Sequence, residues 1–242
     1  MKKMRILAAV MLSATTMLSS VAMAAPAKKD IFKPLTVTSR TITDGIFKST
    51  YPVISGAKDS KADAAINGAI VKDVTDFTAP FNRTAKYGSP FDKIDAQIEH
   101  DKMAGTVNYQ VACNAKTIIS VIMDKKVTVP HKDGKSYSLE LKDGINYTID
   151  GTILKAADWS KMAKAVNMED PFSEACLKKS VDAALAAKGL TPVKNYEKQL
   201  GLAKDDYYID ADTNLHALYV PGLVAPESAG WFDVILNMSV MK

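Results

Sequence analysis

Strand-like alternation between residues 92 and 141 is the feature that most constrains the fold of this chain. Apolar side chains occupy every second position from Val107 to Cys113, before a short turn at 114–116, and the pattern then resumes. A period of two indicates strands, and connections this short allow only antiparallel pairing. The sequence therefore predicts an antiparallel β-sheet meander, with a further turn at 142–144 where glycine follows Lys-Asp.

A helix is predicted before this meander. Apolar residues recur at spacings of three and four from Ala62 to Phe77, which places them on one face. Asp59 or Ser60 can accept hydrogen bonds from the free amides of the first turn. Pro80 is expected to end the helix, because proline cannot donate a backbone hydrogen bond.

Two more helices and three short strands are predicted after the meander. The helices cover 156–166 and a segment from 171 or 172 to 188, which stops at Gly189. The strands are expected at 207–209, 215–220 and 231–236. Residues 35–242 contain no long polar linker, so the sequence predicts a single α+β domain. Its antiparallel β-sheet meander would carry two to three helices packed on one face.

The first 24 residues have the pattern of a cleaved secretory signal peptide. A basic start at 2–5 precedes a nearly uncharged apolar run at 6–17, and Ala22 and Ala24 supply the two small side chains that signal peptidase requires. The run is shorter than the roughly 20 residues needed to cross a bilayer. We expect a flexible lead-in at 25–34 and a secreted or periplasmic product without a membrane anchor.

Removal of the first 24 residues would bring the net charge of the chain close to zero. The 242 residues include 31 Lys+Arg and 27 Asp+Glu, a net charge of +4. Residues 2–5 hold three of the basic residues and no acidic one, which leaves 28 against 27. A protein this close to neutrality is not predicted to bind nucleic acid or an acidic membrane surface through its overall charge.

The closing segment carries a family resemblance. Two strand-like stretches, at 207–210 and 215–220, lead into the sequence Pro-Gly-Leu-Val-Ala-Pro-Glu-Ser-Ala-Gly at 221–230 and a last strand at 231–236. This resembles the C-terminal signature of a family of extracytoplasmic bacterial domains of poorly defined function. Members include the outer domain of a lysozyme-sensing anti-sigma factor and the non-catalytic N-terminal module of certain peptidoglycan deacetylases.

The resemblance implies a non-enzymatic binding or sensing module of the cell envelope. Its expected partner is a lysozyme-like protein or a cell-wall glycan. The loop at 221–230 is the predicted binding surface, since proline and glycine shape it and it carries apolar residues. The predicted contacts are Pro221, Leu223, Val224, Pro226 and Glu227. The alternative is an envelope hydrolase, or an accessory module of a peptidoglycan-modifying enzyme.

Catalytic and metal-binding patterns do not emerge from the sequence. His100, His131 and His216 have no second ligand at the close spacing typical of zinc sites. No serine lies in the Gly-x-Ser-x-Gly pattern of a nucleophile elbow. Residues 210–214 are predicted to form a polar hairpin loop. We therefore predict no catalytic residue, no metal and no cofactor.

Cys113 and Cys176 are the only cysteines. In an oxidising compartment a pair of cysteines suggests a disulfide, here between the sheet and a helix. Two buried free thiols are the alternative, and the sequence leaves both open.

Overall fold

The computed structural model describes residues 34–88 and 97–237. The predicted signal peptide at 1–24 and the lead-in at 25–34, apart from Pro34, lie outside the described residues. So does most of the strand predicted to begin at Asp92.

Five strands form one mixed sheet, in the order β1–β2–β3–β4–β5. Their bounds are β1 (Thr36–Asp44), β2 (Phe47–Ser55), β3 (Ala104–Asn114), β4 (Ile118–Pro130) and β5 (Ser136–Thr148). The meander from β3 to β5 is antiparallel, as predicted. The β2–β3 pairing is parallel, because a long helix intervenes between these two strands.

That helix, α1 (Ser60–Tyr87), is capped by Asp59, whose carboxylate accepts from the amide of Ala62 at 2.8 Å. The prediction that Pro80 ends it is wrong. Pro80 lies on the exposed face, where water can hydrogen-bond the carbonyl that loses its donor. The helix stays on the sheet because Phe81 packs near Phe47 of β2, with ring centroids 6.2 Å apart.

The second half of the chain forms a separate three-stranded antiparallel sheet with two helices, as the sequence indicated in position and length. Its elements are α2 (Ala156–Ala165), α3 (Glu174–Ala187), β6 (Tyr207–Ile209), β7 (Leu215–Tyr219) and β8 (Phe232–Ile235). The protein is thus an α+β single domain. No helix within residues 34–88 or 97–237 has the length and apolar character needed to cross a membrane.

The large sheet carries α1 on one face, and the core of the small sheet reaches its other face. The reason is the start of β4, where Ile118 and Ile119 point to opposite faces and are both buried. Ile119 belongs to the core under α1, and Ile118 belongs to the core formed by α2, α3 and the small sheet. A strand with two buried faces requires a layer on each.

Gly144 marks where the two sheets meet. The prediction of a turn at 142–144 is wrong, because β5 continues through these residues to Thr148. A Cβ at Gly144 would lie 1.8 Å from the carbonyl oxygen of Tyr207, so the glycine permits this close approach. Next to it, Asn146 donates from Nδ2 to the same carbonyl at 2.9 Å.

Candidate ligand-binding cleft

A polar cleft of about 480 Å³ lies between the outer face of the large sheet and the small sheet. This volume is within the range of small-molecule sites. The large sheet contributes Asn108, Gln110, Asp124 and Lys142, and the small sheet contributes Tyr208 and Asp233, with Trp231 just before β8.

Strand register explains why polar groups converge on this wall. Asn108 of β3 pairs with Asp124 of β4, which in turn pairs with Lys142 of β5. Directly paired residues of neighbouring strands point to the same face, so these three side chains form a row. Lys142 Nζ lies 3.9 Å from Asp124 Oδ2 within the row.

The opposite wall contains a hydrogen-bonded network centred on His216 of β7. Its Nδ1 lies 2.7 Å from Asp233 Oδ1, and its Nε2 lies 3.0 Å from Asp210 Oδ2. Tyr208 of β6 donates its hydroxyl to Asp233 Oδ2 at 2.5 Å and stacks on the imidazole, with ring centroids 4.5 Å apart. Both oxygens of Asp233 therefore accept hydrogen bonds from the small sheet.

The charges in this network reinforce each other. Burial by itself lowers the pKa of His216, but the hydrogen bonds and charges of Asp233 and Asp210 outweigh it and raise that pKa. Burial disfavours the charged form of Asp233, yet the donors His216 and Tyr208 bring its pKa below the ordinary value. The favoured state is an imidazolium between two carboxylates.

Trp231 adds an unsatisfied donor to the cleft wall. Its indole Nε1 is buried and has no hydrogen-bond partner among the described residues. Leaving such a donor unpaired costs about 1–3 kcal/mol, a cost that proteins usually avoid. Trp231 lines the cleft, although its Nε1 atom is itself inaccessible to solvent.

The predicted binding loop lies next to the cleft but does not line it. Leu218 and Trp231 flank the loop in the sequence and do line the cleft. Val224 is fully buried, so it anchors the loop and is inaccessible to a ligand in this conformation. Glu227 is exposed.

The other predicted contacts, Pro221, Leu223 and Pro226, are partly exposed. Their role in binding stays a prediction, and so does that of Glu227.

The two cysteines are buried free thiols in the structure. Cys113 faces the core around α2 and α3, whereas the Sγ of Cys176 lies 3.7 Å from the carbonyl oxygen of Asn237. Burial raises the pKa of both thiols, that of Cys176 to about 11. Neither sulfur is therefore activated as a nucleophile at neutral pH.

Sequence reasoning missed the cluster around His216. It interpreted this histidine as a structural strand residue without a ligand partner, and it interpreted 210–214 as a hairpin loop. The hairpin is present, with Asp210 accepting from the amide of Asn214 at 2.7 Å. However, Asp210 and Asp233 lie 6 and 17 residues from His216, so only the register of β6, β7 and β8 brings them together.

Fold and cleft together define an α+β domain with a polar pocket between two sheets. No known protein family matches the sequence, and no curated protein is significantly similar to it. Two solved structures share the fold. A DUF3298 family protein from Bacteroides fragilis superposes with a TM-score of 0.53 at 13% identity, covering 84% of this chain and 90% of that one.

A DUF3298 family protein from Pseudomonas aeruginosa gives a TM-score of 0.51 at 12% identity, covering 86% of this chain and 93% of that one. The shared architecture extends over most of all three chains. The structural neighbours therefore come from an uncharacterised bacterial domain family, and at these identities the likeness concerns the fold.

Proposed function

We propose that this protein is a non-enzymatic binding module of the bacterial cell envelope, exported by its N-terminal signal, and that a cell-wall glycan segment binds in the cleft between the two sheets. The observation that carries this proposal is the lining of the cleft. Carboxamides, carboxylates and an ammonium group converge there beside an indole.

This set of groups suits a neutral oligosaccharide. The side chains of Asn108 and Gln110 offer both donors and acceptors, which is what sugar hydroxyl and acetamido groups require. Trp231 provides a flat apolar surface for the face of a sugar ring. Asp124 lies near Lys142, and Asp233 contacts His216, which also contacts Asp210. The carboxylates are therefore only partly offset, so the site disfavours an anionic ligand.

Export and an envelope partner are supported by the signal pattern at 1–24 and by the resemblance to the extracytoplasmic domain family. The same resemblance offers a lysozyme-like protein as the partner. Such a protein would engage the exposed part of the loop at 221–230, through Glu227, rather than the interior of the cleft.

Calorimetry distinguishes these partners. The protein is titrated with a soluble oligomer of β-1,4-linked N-acetylglucosamine, with peptidoglycan fragments and with lysozyme. We expect saturable binding of the saccharides, weakened about tenfold by Asn108→Ala or Gln110→Ala through loss of a hydrogen bond.

Thr106→Ala is the matched control, because Thr106 is exposed on the same face of β3 but outside the cleft. Binding of lysozyme alone, abolished by Glu227→Ala and unaffected by Asn108→Ala, would replace the glycan assignment with a protein partner. Absence of binding by all three probes would remove the proposal.

A hydrolytic role for the same cleft is the second candidate, since two carboxylates, Asp124 and Asp233, line it. Glycoside hydrolysis requires a carboxyl group that holds a proton at working pH. The donors on Asp233 lower its pKa, which argues against that role for this residue. Release of shorter saccharides during prolonged incubation, abolished by Asp124→Asn, would favour the hydrolase.

A further inference from the structure

We propose that His216 is the positioning residue of the cleft: as an imidazolium it bridges Asp210 and Asp233, fixes the Asp233 carboxylate in the cleft wall, and so makes ligand binding strongest in acidic conditions. This inference deepens the proposed binding function and depends on it for the ligand. The link between the protonation of His216 and the position of the cleft wall does not depend on any ligand.

The number of N–H donors on the His216 ring decides which contacts it can make. An imidazolium has two N–H groups, whereas neutral imidazole has one N–H and one lone pair. His216 faces a carboxylate at each nitrogen, 2.7 Å from Asp233 and 3.0 Å from Asp210. Only the charged ring can donate to both, so loss of its proton breaks one of the two contacts. If Nδ1 loses the proton, its lone pair and Asp233 compete for the Tyr208 hydroxyl, which lies 3.0 Å from Nδ1.

Either contact, once broken, affects the cleft. If Asp233 is released, the carboxylate in the cleft wall keeps only its bond from Tyr208. If Asp210 is released, it loses its contact with His216 of β7 and keeps only its bonds to Asn214 within the loop between β6 and β7. Tyr208 lines the cleft and immediately precedes this region, so its stacked ring would be displaced.

Among the described residues, the groups in contact with the network have pKa values shifted away from that of histidine. Asp206, whose pKa is raised to about 6, interacts with Asp143 and Asp205 rather than with His216. Tyr208 has a raised pKa through burial and its bond to Asp233, and both aspartates have lowered pKa values. The positive charge of Lys188, at the end of α3, lowers the pKa of Asp233. Burial and the charge of Asp210 raise the pKa of Cys113 in β3.

The first experiment needs no ligand. The protein is labelled with ¹⁵N in histidine and tryptophan and titrated from pH 5 to 9 by NMR. We expect His216 to titrate above the ordinary histidine value of 6.5, and the indole N–H signal of Trp231 to shift with the same midpoint. His131→Gln is the matched control, because His131 packs beside Tyr137, with ring centroids 4.6 Å apart, and does not line the cleft; this variant should leave both signals unchanged.

Two variants make this experiment decisive. His216→Gln should abolish the shift of the Trp231 signal. Asp210→Asn keeps the imidazole but removes one carboxylate, so it should lower the His216 and Trp231 midpoints by the same amount, even if His216→Gln fails to fold. A Trp231 signal that stays constant with pH, or that titrates with a midpoint different from that of His216, would overturn the proposal.

The second experiment repeats the calorimetry with the β-1,4-linked N-acetylglucosamine oligomer across the same pH range. With one linked proton, affinity should fall about tenfold per pH unit above the His216 midpoint. His131→Gln should keep this dependence, and an affinity that does not change across the midpoint would overturn the linkage. If the oligomer binds at no pH, the glycan assignment fails, and the NMR titration alone decides the role of His216.

Discussion

Each half of this protein contains a buried basic side chain that contacts two aspartates. Lys125 of β4 donates to Asp73 of α1 at 2.6 Å and to Asp143 of β5. His216 of β7 contacts Asp210 and Asp233 in the small sheet. The side chains are 4% and 11% exposed, so both charges depend on their aspartates.

The difference between them lies in their chemistry rather than in their geometry. Burial lowers the pKa of Lys125, but its two aspartates raise the pKa above an already high value, so the lysine is charged at every pH the protein meets. His216 gains in the same way from a starting value of 6.5. The contact of a cation with two aspartates is therefore permanent for Lys125 under α1, and it depends on pH for His216 beside the cleft.

The contact between the halves should be the most sensitive point of all. Gly144→Ala forces a Cβ to within 1.8 Å of the Tyr207 carbonyl oxygen, a backbone atom that cannot move without shifting β6. We expect a loss of more than about 4 kcal/mol of unfolding free energy, or no folded protein. Chemical denaturation measures it, and Gly201→Ala, which meets nothing within 4 Å, should cost less than about 1 kcal/mol.

Lys125→Met tests the contact of Lys125 with its two aspartates. The substitution keeps the length of the side chain but leaves Asp73 and Asp143 without their cation, and we expect a loss of about 3 kcal/mol. The loss should be smaller at pH 5.5 than at pH 8 by urea denaturation, because burial already raises the pKa of Asp73 and, without Lys125, this carboxyl takes up a proton more readily at the lower pH. The neighbouring Lys126→Met is the control, since Lys126 and Glu140 are each 46% exposed and should contribute less than about 0.5 kcal/mol.

His216→Gln tests the contact of His216 with its two aspartates. We expect it to lower the free energy of unfolding by about 1–2 kcal/mol at pH 5.5. The folded pKa is raised, so the stabilisation is complete below the unfolded value of 6.5 and is lost as pH rises through the folded pKa. The difference between wild type and variant in urea denaturation should therefore shrink as pH rises from 5.5 to 8.5. A difference that is constant with pH would mean that His216 stabilises the fold by its packing rather than by its charge.

Asp206→Asn should stabilise the protein, whereas the preceding substitutions destabilise it. Burial, together with Asp143 and Asp205, raises the pKa of Asp206 to about 6, so its ionisation opposes folding as pH rises through that value. The amide cannot ionise, and we expect the variant to be more stable by about 1 kcal/mol at pH 7.5, after allowing for solvent screening. No difference is expected at pH 4, and a variant less stable than wild type at pH 7.5 would contradict the assignment.

The smallest effect is expected from reductant. With Cys113 and Cys176 as free thiols, dithiothreitol should not change the unfolding midpoint. Unfolding without reductant, followed by alkylation and mass spectrometry, should add two alkyl groups. No added mass would instead show the disulfide that the oxidising compartment suggested.

Elements with a clear period were predictable from this sequence, and sites that join distant segments were not. The spacing of Ala62 to Phe77 predicted α1, and of the two capping candidates, Asp59 and Ser60, the structure uses Asp59. Pro80 and the 142–144 segment were misinterpreted because local preference suggested a break, whereas Phe81 and Tyr207 make tertiary contacts that keep the elements continuous.

The amino-acid sequence by itself determined the α+β class, the meander from β3 to β5 and the positions of the last three strands, because periodicity and turn residues act within a few positions of each other. Only the tertiary structure decided that the strands divide into two sheets with a cleft between them. The same holds for the pairing of His216 with Asp210 and Asp233. Such contacts depend on strand register and on the fit between layers, which sequence spacing does not encode.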